Sequence, residues 1–418
     1  MRKSIVTFLS LGLVSLNAWC DTTAPLTWQD CVRLAALRNP DLLSAARATD
    51  SSRAQYRGSY NGVLPKISLS HSYTDASSSG VEAKIWQAQG TASLDLVDVS
   101  QWATIELASA GLKQSRATYA VSDATTLLNL YRTFAGLLYA QEEAEVFTNI
   151  RDTWKANADM IHLRYRSGTE SKGNDMNTQA QLLQANLNLG QATRDLRVAQ
   201  QQLSQVLGFD EFNALVATGT WAAPPAPNPH PDLQPYMTKI PQVQAQEAVV
   251  EQARANLHIA QSAIWPTLSV NYSKGVAGRS EFPSNPFWSF TGVIGLPVFG
   301  NGLTATYYAS QAAQRSLEKA QEDLRSLRNQ TLSNLESAWS AFAQAEDQIH
   351  IQRAFLEADR QRKAEYDILY QSGLMSFQEW ILVVTEYVNF QTSYLRSEQS
   401  LILAQAQWRF ATGEQLGE

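Results

Sequence analysis

The sequence predicts a mixed α/β membrane protein with an internal duplication. In this fold class, four transmembrane β-strands of each chain join a closed β-barrel, and long antiparallel coiled-coil helices form a helical barrel in the periplasm. Three observations lead to this prediction. The chain begins with a secretory signal, its second half repeats landmarks of its first half, and each half combines strands of period two with very long helices.

The start of the chain predicts export from the cytoplasm. Basic residues at 2–3 are followed by an apolar stretch at 5–16 and by small residues around 17–18. This pattern is typical of a signal peptide, here residues 1–20, because the apolar part is too short to span a bilayer. Lipidation at Cys20 stays open, although the bulky Trp19 before it is not the small residue that lipoprotein processing prefers.

The composition narrows the function classes. After residue 20, no stretch reaches the ~18 continuous apolar residues of a membrane helix, so a further membrane element would have to be a barrel. The chain has 2 cysteines, which excludes a disulfide framework, and its net charge of -6 disfavours nucleic acid as a partner. Its 5 histidines are scattered, and it has no nucleophile elbow, phosphate loop or dinucleotide fingerprint. The sequence therefore predicts no enzyme activity, cofactor or metal.

The duplication rests on landmarks that recur in the same order. Asn39-Pro40 and Ile240-Pro241 each open a helical stretch, at an offset of 201 residues. Tyr165-x-x-Gly168 and Tyr370-x-x-Gly373 recur at an offset of 205, as a few small insertions would produce. We predict a first repeat at 21–208, a proline-rich linker at 209–238, a second repeat at 239–413 and a tail at 414–418.

Each repeat contains two segments of alternating polarity. In 86–96 every second residue is apolar or small and the others are polar, and 288–296 shows the same alternation. Their partners upstream are 67–73 and 268–272. The longer segments, 86–96 and 288–296, have the roughly 9–11 residues of a tilted membrane strand, and all four segments have an aromatic residue at one end. A half-exposed sheet in a soluble domain explains any one strand, but not the signal peptide and the repetition together.

The alternation also sorts residues between the two sides of the barrel wall. The polar positions of 86–96 are expected to face the barrel lumen, where polarity alone suffices to wet a channel: Gln87, Gln89, Thr91, Ser93 and Asp95. Turn residues that fit external loops follow in each repeat: Gly80, Gly278, Pro283 and Pro286.

The helices are too long for an ordinary globular domain. No proline occurs at 100–167 or at 303–372, and ~65 helical residues reach roughly 100 Å. Returning helices are predicted at 175–207 and 377–411. A narrow apolar seam steps by three and four, as coiled-coil packing requires: Leu324, Leu327, Thr331, Leu335, Ala338, Phe342, Ala345 and Ile349.

Four strands predict an oligomer. Backbone groups in hydrocarbon must be paired, so an open four-stranded sheet cannot cross a membrane. Two chains would give eight strands with a filled interior, and three would give twelve with room for a lumen. Neighbouring copies must also cover the helical hairpins, which bury little by themselves.

At this point the chain resembles the outer-membrane factor (TolC) family of outer membrane efflux proteins. The motifs that carry the resemblance are the two helical turns, Tyr165-x-x-Gly168-Thr169 and Tyr370-x-x-Gly373-Leu374, and the proline-opened strands at Leu64-Pro65 and Trp265-Pro266. The duplicated set in order, over about 25–413, is more specific than any single motif.

The resemblance implies a homotrimer with a twelve-stranded barrel and a twelve-helix tunnel in the bacterial outer membrane and periplasm. It also implies a periplasmic adaptor and an inner-membrane pump as partners, in a tripartite efflux or type I secretion system. By position, the adaptor contacts would be the tips Gly168, Thr169, Gly373 and Leu374. The plain structural explanation of both glycines is that they end helices in the left-handed conformation.

The family likeness also suggests an entrance gate. Glu379 stands where the family often places an entrance carboxylate, and Asp175 is a second candidate, although a carboxylate there also simply favours a helix N-terminus. Leu382 stands where a second acidic residue is expected, so this chain departs from the family pattern. The alternative function is a soluble periplasmic coiled-coil adaptor or scaffold without a barrel. The sequence shows no motif for a particular cargo.

Overall fold

A computed structural model describes residues 25–78, 81–219, 225–226, 230–297 and 303–414. The predicted signal peptide, Cys20 and the loop residue Gly80 lie outside the described residues. Within them the chain forms seven α-helices and four β-strands, which we number in chain order: α1 Trp28–Arg38, α2 Pro40–Ser59, β1 Lys66–Ser78, β2 Val81–Val97, α3 Val99–Arg166, α4 Lys172–Val206, α5 Pro241–Ser262, β3 Thr267–Gly278, β4 Asn285–Gly295, α6 Leu303–Gln371 and α7 Phe377–Thr412.

The predicted duplication is present as a repeated order of elements. The series α2, β1, β2, α3, α4 recurs as α5, β3, β4, α6, α7, and α1 precedes the first copy. The two longest helices, α3 and α6, have 68 and 69 residues, within two residues of the predicted bounds. Each is about 100 Å long at 1.5 Å per residue.

The four strands form one antiparallel sheet in the order β1-β2-β3-β4, so β1 and β4 are its edges. β1 and β2 are longer than predicted, at 13 and 17 residues. The prediction ended β1 too soon and started β2 too late, because the residues after Tyr73 are polar, as in a loop. Backbone pairing nevertheless continues through Asp75 and Lys84, since a strand ladder needs no apolar side chains.

The helices lie side by side in two tiers. Nearer the sheet the order of contacts is α2–α3–α5–α6, and nearer the far end it is α4–α3–α7–α6. Most of the predicted seam of α6 is buried: Thr331, Leu335, Ala338, Phe342 and Ile349. Its other members, Leu324, Leu327 and Ala345, are half-buried. None of the helices in the described residues has the length and apolarity that crossing a membrane requires.

Between the two tiers, the end of α4 meets the start of α2, and the end of α7 meets the start of α5. The Asn39 side chain caps the start of α2 through Leu42 N–H, and its amide donates to the Val206 carbonyl at the end of α4, at 2.8 Å. Gly208, with φ +77°, lies against Arg38 at this joint. The second repeat has the same joint, where Gly413, with φ +73°, ends α7 against Lys239. In space, α2 is therefore stacked on the end of α4, and α5 on the end of α7.

The linker packs against the middle of the helical layer. The side-chain amide of Gln141 on α3 both donates to the Ala217 carbonyl and accepts from its N–H, each at 2.9 Å. Leu26 pairs with the same segment through a parallel bridge. These contacts fix the start of the described chain and the linker onto the buried cluster around Leu130 and Phe134.

Candidate functional site

The two faces of the sheet differ in chemistry. Directly paired residues of neighbouring strands point to the same face, so the register assigns every position. One row reads Ser68, Thr91, Ser273 and Ser289, and the next row along that face reads Lys66, Ser93, Asn271 and Thr291. The opposite face carries apolar residues on all four strands. On β2 Leu94 is half-buried, and on the other three strands large apolar side chains are exposed: Ile67, Leu69, Tyr272, Trp288, Phe290 and Ile294.

The five residues predicted for the lumen lie together on the polar face. Gln87, Gln89, Thr91 and Ser93 occupy alternate, half-buried positions of β2, and the Gln87 amide donates to Gln89 Oε1 at 2.7 Å. Asp95 lies 3.5 Å from the Lys66 ammonium on the same face. Apart from this ion pair, the middle of the polar face is built from neutral hydroxyls and amides, and apolar residues join it at Ile85, Phe287 and Val293. Such a surface holds water without a strong charge preference.

The predicted tips are tight turns at the far end of the helices. Gly168 has φ +80° and Gly373 φ +77°, and Thr169 N–H and Leu374 N–H return to the carbonyls of Arg164 and Leu369, each at 2.9 Å. This is the glycine-ended helix terminus that the sequence predicted. No atom lies within 4 Å of the place a Cβ would take at either glycine, and Leu374 is 77 % exposed. Both turns are open to contact from outside the chain.

The two predicted entrance carboxylates have different surroundings. Glu379 is exposed and forms a capping box with Ser376, whose hydroxyl donates to Glu379 Oε2 at 2.8 Å. These hydrogen bonds lower the pKa of Glu379 below its usual value. Asp175 is buried at the start of α4, with Oδ1 at 3.2 Å from His162 Nδ1 on α3. In this chain Asp175 therefore ties α3 to α4, while its predicted role at the entrance stays a prediction.

A link between the two repeats lies beside the tips and was not found from the sequence. The Tyr370 hydroxyl donates to Glu170 Oε2 at 2.7 Å, joining the α6 end to the α3–α4 turn. The Arg164 guanidinium lies 4.6 Å from the Tyr370 ring and donates to the carbonyls of Tyr370 and Gln371. Tyr370 also stacks on Trp380 at 4.5 Å. The recurring Tyr-x-x-Gly motif marked this tyrosine, but its partner is 200 residues away in sequence.

The ionisation of the linked pair suits a hydrogen bond. Burial alone would raise the pKa of Glu170, but hydrogen bonds from Tyr370, Asn174 and Ser171 N–H, together with the Arg164 charge, lower it below the usual range. Burial, and then the Glu170 carboxylate, raise the pKa of Tyr370. The tyrosine therefore remains a neutral donor to an ionised acceptor at physiological pH.

A family model described as "Outer membrane efflux protein" matches residues 31–209 and 238–414. The chain belongs to the outer membrane efflux protein family. Membership in this family makes it an exit duct of an efflux system in the bacterial outer membrane, with its helical part in the periplasm, and not an enzyme. The predicted function is confirmed, and the alternative of a soluble scaffold is wrong.

Individual relatives agree with the family assignment. The cobalt-zinc-cadmium resistance protein CzcC of Cupriavidus metallidurans is 25 % identical over 343 residues, which cover 82 % of this chain and 77 % of CzcC. The fold is similar to that of the outer-membrane channel OprN, with a TM-score of 0.84 and 16 % identity over 94 % of this chain and 91 % of that one. The CmeC channel of Campylobacter jejuni has a TM-score of 0.81 and 16 % identity over 99 % and 93 %. The predicted fold class is confirmed.

Proposed function

We propose that three copies of this chain close into one continuous duct that crosses the outer membrane and reaches into the periplasm. The open edges of the single chain carry this proposal. The sheet ends in β1 on one side and β4 on the other, and in the described residues the helical tiers likewise end in α2 and α4 on one side and α6 on the other. A neighbouring copy that pairs β4 with β1 thus also brings α6 beside α4.

The chemistry of α4 supports the same neighbour. Its buried seam, with Ala185 and Ala192, packs on α3. Met176, Leu183 and Leu187 lie on the side opposite to that seam, at 100° per residue, and are 63, 70 and 58 % exposed. A second apolar seam directly opposite the first is what a helix needs when it packs between two neighbours.

The number three follows from the need for a lumen. Eight strands from two chains would enclose a space that side chains fill, whereas twelve strands from three chains leave a wet passage. The polar face with Gln87, Gln89, Thr91, Ser93 and Asp95 would line that passage, and the apolar face would meet lipid. The duct is passive, because energy enters at an inner-membrane pump.

The tips are the proposed contact for a periplasmic adaptor. Gly168, Thr169, Gly373 and Leu374 are at the end farthest from the sheet, and an exposed leucine beside two open turns offers an apolar contact for a helical hairpin. The Glu170–Tyr370 hydrogen bond holds the two hairpins of one chain together beside these tips. We infer that this bond keeps the entrance narrow until an adaptor docks, and that Glu379 adds negative charge there.

Divalent metal ions are the first cargo to test. The likeness to CzcC, whose name describes cobalt, zinc and cadmium resistance, favours this class. Expression of the chain with its neighbouring pump and adaptor genes should raise zinc or cadmium tolerance in a sensitive host. Unchanged tolerance with restored resistance to organic drugs would reject the metal assignment and leave the duct intact.

The assembly is tested by mass and conductance. Purified protein in detergent should have the mass of three chains and should conduct ions across a planar bilayer. Leu187→Arg should weaken assembly, whereas Asn186→Arg, a quarter turn round the same helix, should not. A monomer that does not conduct would overturn the proposal, and equal effects of both variants would reject the α4 seam as the interface.

A further inference from the structure

The register places the cation of Lys274 among the apolar residues that are expected to face lipid. Lys274 on β3 is paired with Gly90 on one side and Trp288 on the other, so it shares their face. Its side chain is exposed. Within the part of the chain that the structure describes, Lys274 forms no ion pair. A lone charge on the lipid side of a barrel is costly, so an intramembrane lysine calls for a specific partner.

The surroundings of Lys274 form a shallow cleft. Ala88 and Val276, with short side chains, share the face with Lys274 towards the outer end of the sheet. Leu69 lies over Gly90, and Pro283 lies over Gly278 at the outer end. Trp288, 71 % exposed, stands on one side. On the other side His71 stacks on Trp86 at 5.4 Å, and Tyr73 lies 4.8 Å from the same indole. The lysine stem thus lies over short side chains, with aromatic groups on both sides and Pro283 at the outer end.

The depth of Lys274 places it in the half of the wall near the outer surface. The helices leave the sheet at the other end, so the last residues of β1 and β3 lie at the outward end. Gly278, at the outer end of β3, lies four positions beyond Lys274. At about 3.4 Å per residue and a tilt of about 40°, this distance is roughly 10 Å. A lysine can extend its ammonium along such a path towards the lipid head groups.

We propose that Lys274 binds the phosphate of an anionic lipid of the outer leaflet, the lipid A part of lipopolysaccharide, in the cleft between Trp288 and the His71–Trp86 pair. The proposal rests on the proposed use of the apolar face as the lipid side of the barrel. A phosphate supplies the missing counter-charge, and acyl chains cover the apolar residues below it. Lys84, on the same face farther out, is a weaker candidate because it lies 3.9 Å from Asp75.

The test measures lipid retained by the assembled protein. The full-length protein, purified in detergent, is incubated with bisphosphorylated lipid A or its dephosphorylated form, and bound lipid is counted by native mass spectrometry. One lysine near an anionic surface raises the affinity for that surface about fivefold. Wild-type protein should therefore bind the phosphorylated lipid A about fivefold more tightly than the dephosphorylated form. Lys274→Gln should lose the preference, and Lys274→Arg should keep it.

The matched control is Lys66→Gln, which removes the same charge from the opposite, polar face of the same sheet. It should leave lipid preference unchanged. An undiminished preference in Lys274→Gln, or no preference in wild type, would overturn the proposal. Displacement of lipid A by millimolar inorganic phosphate would show an anion site without lipid specificity and would also overturn it. Assembly and conductance are measured on each sample, so failure of the duct itself is recognised separately.

Discussion

The joint between α4 and α2 makes a sharp prediction about Gly208. Alanine there would keep φ near +77° and place its Cβ 2.4 Å from the Arg38 carbonyl oxygen. The left-handed conformation costs an L-residue about 1–2 kcal/mol, and relieving a clash in packed structure costs about 1–3 kcal/mol more. Gly208→Ala should therefore lower the free energy of unfolding by about 2–5 kcal/mol.

The chain contains its own control for this experiment. Gly168 has a nearly identical φ of +80°, but nothing lies within 4 Å of the place of its Cβ. Gly168→Ala should show the conformational cost alone, about 1–2 kcal/mol. Gly413, where the nearest backbone oxygen is 3.1 Å away, should fall between the two.

The assay is urea or thermal unfolding of the detergent-solubilised protein, followed by helical circular dichroism. The expected order of loss is Gly208→Ala, then Gly413→Ala, then Gly168→Ala. Equal losses at Gly208 and Gly168 would refute the reasoning, because they would show that contact with Arg38 has no part in holding the joint. A stable Gly208→Ala variant would refute it more strongly, since even the backbone cost would then be missing.

Three predictions concern the periplasmic end. Tyr370→Phe removes the donor to Glu170 and should raise single-channel conductance in planar bilayers; unchanged conductance would exclude this bond from gating. Because the pKa of Glu170 is lowered, its carboxylate is ionised and bound to Tyr370 at neutral pH. The link is lost as the pH falls below about 4.5, the ordinary pKa of a glutamate, and through the lowered pKa of Glu170. In that pH window the conductance of wild type should rise further, and that of Tyr370→Phe should not. Glu379→Ala should raise conductance and reduce block by divalent cations, which titration with Mg²⁺ would measure; undiminished block would reject the carboxylate ring.

Much of the helical architecture was predictable because its signals are local and repeated. The absence of proline and the three-four spacing of Leu335, Ala338 and Phe342 determine a long helix and its packed side without knowledge of any other element. Alternation in β2 likewise sorted Gln87 and Gln89 onto one face. The outer ends of the strands were missed because the backbone of a polar residue such as Asp75 pairs in the ladder just as the backbone of an apolar residue does.

The contacts that join distant segments could not be read from the sequence. Gly208 looks like any glycine after a helix, and only the approach of Arg38 explains why nothing larger fits. Asp175 was predicted as a helix N-terminal residue or an entrance carboxylate, and its contact with His162 depends on how α3 and α4 align across the turn. Tyr370 and Glu170 come from different repeats, so no periodicity connects them.

The Glu170–Tyr370 bond joins the turn of the first repeat to the tyrosine of the second. The reverse bond, from the turn of the second repeat to the tyrosine of the first, cannot form, so the two repeats differ here. At the offset of the tips, Met375 stands where Glu170 would recur, and Tyr165 is the tyrosine of the first copy. In a trimer the six hairpin ends would thus alternate between two kinds, three of each. Any ring of six identical subunits that caps this end must make two distinct sets of contacts, one beside each bonded pair of hairpins and one at each junction between chains.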